Sequence, residues 1–205
     1  MKFHFIFLLV FALGLHLGAD SLKLAISSDD FSDTQTKSID RAEAIEFDFN
    51  SVLGDGHGGA NENSITTSLK YTKNHSITEY DAQLKWLETK KTKNYNVSLF
   101  ASIGYRSWEK DLTVQQSTYE KYRFSYAELG LQIMFHENDW HLGIAYSYRK
   151  AIDFMEKNTQ GSKLVVPLQY DLNDNVTFEV AYEQSEWGLH DLKQKTTKAG
   201  VIIRW

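Results

Sequence analysis

The sequence has no cysteine, so no disulfide framework can brace it and no thiolate metal site can form. It has a single proline, Pro167. Positive charge is in deficit: the net charge is −5 and no basic stripe appears, which excludes a nucleic-acid partner. Beyond residue 20 no apolar run approaches the roughly 20 residues that a membrane-spanning helix needs. What the chain does have is aromatic side chains, 14% of its residues, beside a mean hydropathy of only −0.42. Many rings, a polar average and no long apolar run are what an alternating β membrane protein would show. Its two faces cancel in any sliding window.

The one apolar run lies at the start. MKFHFIFLLVFALGLHLGAD carries one Lys, an apolar stretch from Phe5 to Leu15, and the small residues Gly18 and Ala19. That is the layout of a secretory signal peptide over 1–19, with cleavage after Ala19. Residues 20–205 then form one domain.

Period-two alternation recurs through that domain. In 95–108, Tyr95, Val97, Leu99, Ala101, Ile103 and Tyr105 share one face, and Asn96, Ser98, Ser102, Gly104 and Arg106 the other. Similar patterns fill 120–135, 140–149, 163–172, 176–183 and 196–205. In the first half they are weaker, over 21–28, 43–53, 64–73 and 77–89. The expectation is an all-β, antiparallel up-and-down transmembrane barrel of eight to ten strands, ten favoured. Residues 20–63 supply either two irregular strands or an N-terminal extension. Pro167 marks an edge or a bulge, because proline cannot donate to a ladder. Short connections (KKTKN, HEND, LNDN) alternate with the long polar stretches 109–118, 151–162 and 186–195, as in outer-membrane barrels. The first half breaks this rule, with a long Gly-rich stretch (51–64) where a turn is due and NHS (74–76) where a loop is due.

Alternation alone leaves the inside undecided, since a soluble barrel buries its apolar face and a membrane barrel exposes it. Aromatic residues sort to the ends of the apolar face, as in the girdles of a membrane barrel. Trp86, Tyr95, Trp140, Tyr170 and Trp205 belong to one rim, Tyr105, Tyr146 and Tyr148 to the other. The polar face then becomes a lumen. It holds Lys23, Lys70, Lys85, Arg106, Arg149, Lys163, Lys198 and Arg204 against Glu46, Asp48, Asp81, Glu128, Asp171, Glu179 and Glu183. So balanced a set, in a barrel this narrow, suggests an ion-pair plug, with Arg106 and Glu128 as one pair.

The stretches GYRSWEKDL (104–112) and YEKYRFSYAELGL (119–131) resemble a hairpin of the small outer-membrane β-barrels of Gram-negative bacteria, the broad OmpA-barrel and opacity-protein superfamily. The ending, with Val201, Ile203 and Trp205 on alternate positions, resembles the signal read by the barrel assembly machinery. The resemblance implies a barrel in the bacterial outer membrane, a monomer in contact with membrane lipids and lipopolysaccharide. It leaves activity open, since one fold hosts many functions. The expected role is structural or adhesion-like, through the long loops. The alternatives are a narrow porin-like solute channel and a secreted soluble ligand-binding barrel.

Chemistry is sparse. Ser185, Glu186, His190 and Asp191, or His141 with Ser147, are the nearest approach to a lipid hydrolase, and no catalytic residue is assigned. Asp55 and Asn61 lack the regular carboxylate spacing of a calcium loop. Asp29, Asp30 and Asp33 could gather a cation or bridge to lipopolysaccharide. No metal and no cofactor is expected.

Overall fold

The computed structural model describes residues 19–32, 39–56, 61–74, 77–111, 119–152, 160–187 and 192–205. The proposed leader therefore lies outside the described residues, except for Ala19. Ten strands run in chain order: β1 (Ser21–Ser32), β2 (Ile39–Gly56), β3 (Asn61–Lys73), β4 (Ile77–Lys91), β5 (Tyr95–Asp111), β6 (Tyr119–Glu137), β7 (Trp140–Ala151), β8 (Gln160–Asn173), β9 (Val176–Trp187) and β10 (Leu192–Arg204). Each pairs antiparallel with its chain neighbours, and β1 closes the barrel on β10 in a register running from Ser21↔Arg204 to Ser32↔Lys193. Among the described strands, closure gives every strand a partner on both sides, the condition for a sheet to stand in lipid.

The start of β1 and the end of β10 sit at the short-turn rim, together with the β4–β5, β6–β7 and β8–β9 turns. There the Trp205 amide donates to the Asp20 carbonyl at 3.2 Å, and the Arg204 amide donates to the Asn175 carbonyl at 2.8 Å. The opposite end is the loop rim.

Three expectations change. The eight-strand alternative falls, because 20–63 contributes β1 and β2 as full members of the barrel. The long inner turn shrinks to 57–60, because β2 runs on to Gly56 through a bulge between Val52 and Gly54, where Gly54 takes φ 127°. A positive φ of that size suits glycine and few other residues, so this glycine shapes a strand, not a flexible loop. Pro167 lies inside β8, whose pairing with β7 lapses between Leu142↔Leu168 and Ala145↔Val165. That gap is where the missing amide would have donated.

The apolar face points outward. Leu99, Ile103, Leu129, Ile144 and Ile203 are exposed, whereas Glu128, Arg149, Glu179 and Lys198 on the opposite parity are buried. A soluble barrel would reverse this, so the soluble ligand-binding alternative is excluded. An apolar belt around an ionic interior is the arrangement of a membrane-spanning barrel.

Candidate functional site: a plugged, charged lumen

Strand parity delivers the inward side chains, and their chemistry changes with height. Next to the loop rim the lumen is apolar. Phe31, Ala42, Ile77 and Trp108 form one buried cluster; Phe124, Tyr126, Ala151 and Trp187 form another. Trp187 meets Phe124 and Tyr126 edge-on, at ring separations of 5.1 and 5.5 Å. Two glycines make room for rings on neighbouring strands. Gly104 is the cross-strand partner of Tyr126 and Gly130 that of Phe100, and a Cβ on either would lie 2.3 Å from the ring it faces. The ring covers its glycine, which offsets the weakness of a bare strand position.

Below the rings comes the charge. Arg149 bridges the two zones: its guanidinium lies 5.5 Å from the Trp187 ring centre and 5.8 Å from that of Tyr126, and its Nε is 3.4 Å from Glu128 Oε1. Glu128 also accepts from Ser147, from Gln83 at 2.6 Å and from Ser102 at 3.4 Å. Arg106 pairs not with Glu128 but with Glu79 at 2.8 Å, and donates to Gln194 at 2.8 Å. The register explains the correction. Arg106 stands opposite Phe124 and Ser102 opposite Glu128, so the expected partners are four positions apart along the ladder.

The other expected lumen charges also find partners, Lys85 excepted. Lys70 binds Asp29 at 2.8 Å, and Lys163 binds Glu183 at 2.7 Å. Lys198 lies between Glu46 (3.1 Å) and Glu183 (3.6 Å), and Lys23 between Glu179 (2.7 Å) and Asp48 (3.5 Å). Asp81 accepts the Tyr126 hydroxyl at 2.7 Å. Alternating signs across several strands let each buried charge meet an opposite one, which is what makes such a set tolerable away from bulk water.

Near the short-turn rim, His136 Nδ1 lies 2.8 Å from His141 Nδ1, and His141 Nε2 lies 2.7 Å from Asp171. Arg204 donates to Thr177 at 2.7 Å and sits 3.7 Å from Asp171. From this rim a cavity of about 530 Å³ rises between the charged walls. Its lining runs from Glu62, Lys91, His136 and Arg204 at the mouth to Arg106 and Tyr126 at the top. Trp108, Phe124 and Trp187 lie beyond that lining and form its roof.

On the outer face, Trp140 and Tyr170 pack at 4.8 Å and Tyr95 and Phe135 at 6.5 Å, all next to the short turns. Trp86 stands five residues inside the end of β4, higher on the wall than the rim position expected of it. Tyr105 and Tyr148 are exposed toward the loop rim, and Ile203 and Trp205 are exposed at the other; Val201 is half-buried. The acidic group at 29–33 is not a cluster. Asp29 points inward and is fully buried, accepting from Thr196 at 2.7 Å and Thr72 at 3.2 Å, whereas Asp30 points outward to Arg41. Asp33 lies outside the described residues. So do His190 and Asp191, while Ser185 is buried. Ser147 is six residues from His141, about 20 Å along an extended strand, so those two do not meet.

The sequence reading overlooked the inward rings and Glu79. The signal was there: Phe124 and Tyr126 share parity with Glu128, Trp187 with Glu183, and Glu79 with Asp81 and Lys85.

No protein-family model matches the sequence, and no curated protein matches it as a relative. Solved structures do match. The β domain of the Bordetella autotransporter BrkA superposes with a TM-score of 0.53 at 10% identity, over 91% of this chain and 100% of that one. Neisserial surface protein A gives 0.49 at 10% identity, over 90% and 96%. The N-terminal β-barrel domain of Pseudomonas aeruginosa OprF gives 0.44 at 9% identity, over 91% and 97%. At such identities the likeness to the autotransporter domain is one of fold. Together with the outward apolar belt and the ionic lumen, it makes the chain a β-barrel of the bacterial outer-membrane type.

Proposed function

We propose that this barrel serves the outer membrane as a structural or surface-contacting element, closed to passage through its lumen. The observation that carries the reading is the stack of two seals: buried rings at the loop rim, bolted by Arg149 and Arg106 onto a paired charge network. Buried rings close the loop end of the lumen, and below them all of the wall charges named above except Lys85 are already engaged, which leaves a solvated ion few free counter-charges along its path. The work of such a protein then falls to its exterior, the lipid-facing belt and the loop rim. The leader at 1–19, assembly through Val201, Ile203 and Trp205, contact with lipopolysaccharide and a monomeric state belong to the same proposal.

A narrow solute channel is the second reading, supported by the 530 Å³ polar cavity that reaches the short-turn rim. Single-channel recording in planar bilayers separates the two. The wild-type protein is expected to show no steady conductance, and Trp187→Ala, which removes the ring shared by Phe124, Tyr126 and Arg149, is expected to admit one. A steady open level in the wild type would replace the first reading with the second.

A further inference from the structure

Lys85 is the exception in a lumen of paired charges. Among the described residues, no carboxylate lies within ion-pair distance of its ammonium, which instead rests 4.9 Å from the centre of the Phe100 ring. Glu128, two strands along the wall, is already engaged by others. One of its oxygens is held by Ser147 and Arg149, the other by Gln83 and Ser102. A carboxylate offers about four acceptor directions, and three hydrogen bonds and the Arg149 charge already engage those of Glu128.

The surroundings of Lys85 are polar without being anionic. Its cross-strand neighbours are Thr66 and Ser102, both hydroxyl-bearing, and all of these side chains line the same 530 Å³ cavity, apart from Ser102. That volume falls within the range of small-molecule sites, about 300–1,000 Å³. A half-buried cation without a direct ion-pair contact, beside hydroxyls and above an aromatic face, is an incomplete pair.

We infer that Lys85 anchors a binding site for a small polar anion, a carboxylate or phosphate with hydrogen-bonding groups, which enters from the short-turn rim. The ammonium supplies a charge-assisted hydrogen bond to the anionic group. The Thr66 side receives the ligand's own donors, and the ring closes the apolar side. Entry needs only the mouth at the short-turn rim, so the site stands or falls independently of whether the loop-rim seal blocks conduction.

The test is calorimetric titration of the detergent-solubilised full chain with inorganic phosphate and with gluconate, at constant ionic strength maintained by chloride. Saturable binding of either probe is expected, weakened about tenfold or more by Lys85→Met, the loss of one charge-assisted hydrogen bond. Lys91→Met, which removes a mouth ammonium already paired with Glu62, is expected to bind like wild type. Binding of only one probe supports the site and tells phosphate from carboxylate. Lys85→Gln takes the place of the methionine variant should that one fail to show the folded band on unheated gels. No saturable binding of either probe, or a loss smaller than tenfold at Lys85, overturns the assignment.

Discussion

The loop-side and turn-side parts of the lumen are built by the same ten strands, yet they differ in kind. Toward the loops the inward positions are Phe31, Ile77, Trp108, Phe124, Tyr126 and Trp187, packed against one another. Toward the turns they are hydroxyls, amides and charges around a cavity. The first part is sealed by dispersion and burial, the second is lined by polar and charged groups that leave a cavity between them. Arg149 lies at the junction and serves both, through its rings on one side and Glu128 on the other.

Breaking the junction is expected to have the largest effect. Arg149 and Glu128 are 3% and 5% exposed, so Arg149→Ala strands a buried carboxylate. A loss of about 3–5 kcal/mol is expected, read as a lower heat-modification temperature on gels. If that temperature does not move, the network is not what ties the two parts together. Filling the loop side comes next. Gly104→Val drives a side chain into the Tyr126 ring, and about 1–3 kcal/mol of destabilisation is expected in urea unfolding from detergent micelles. The smallest effect belongs to the mouth. The Lys91–Glu62 pair is also ionic, but Lys91 is half-exposed, and Lys91→Ala is expected to change stability by at most about 1 kcal/mol. Equal losses at Lys91 and Arg149 would erase the distinction between the halves.

This difference also explains which parts of the sequence could be read. Where one face is apolar and the other polar, as along Tyr95–Tyr105, period two is plain and the strand stands out. Near the loop rim the inward positions become apolar and many of their outward neighbours polar, so the alternation reverses its sense. Phe31 points inward between the polar Asp30 and Ser32, and Ile77 points inward beside Thr78, which reverses the parity set by Leu22, Leu24 and Ile26 or by Leu84 and Trp86 and makes β1 and the start of β4 read as irregular. The inward rings could be mistaken for girdle residues because composition does not report direction. Only parity counted from Glu128 or Glu183 does. The partner of Arg106 was out of reach for another reason. A charge pair across a barrel depends on register and stagger, and these are set by all ten strands together, not by any one hairpin.

The claim beneath all of this is that neighbouring residues on one strand meet opposite solvents. Since the chain has no cysteine, a single nitroxide can be placed at Leu99→Cys or at Ser98→Cys without competing thiols. Leu99 is 57% exposed on the outer face and Ser98 is 7% exposed toward the lumen. In lipid bilayers, the label at position 99 is expected to relax by collision with oxygen, which concentrates in the hydrocarbon. The label at 98 is expected to be shielded from oxygen and to respond to a water-soluble nickel chelate no less than position 99 does. Oxygen accessibility that is equal at the two positions, or greater at 98, would contradict the account.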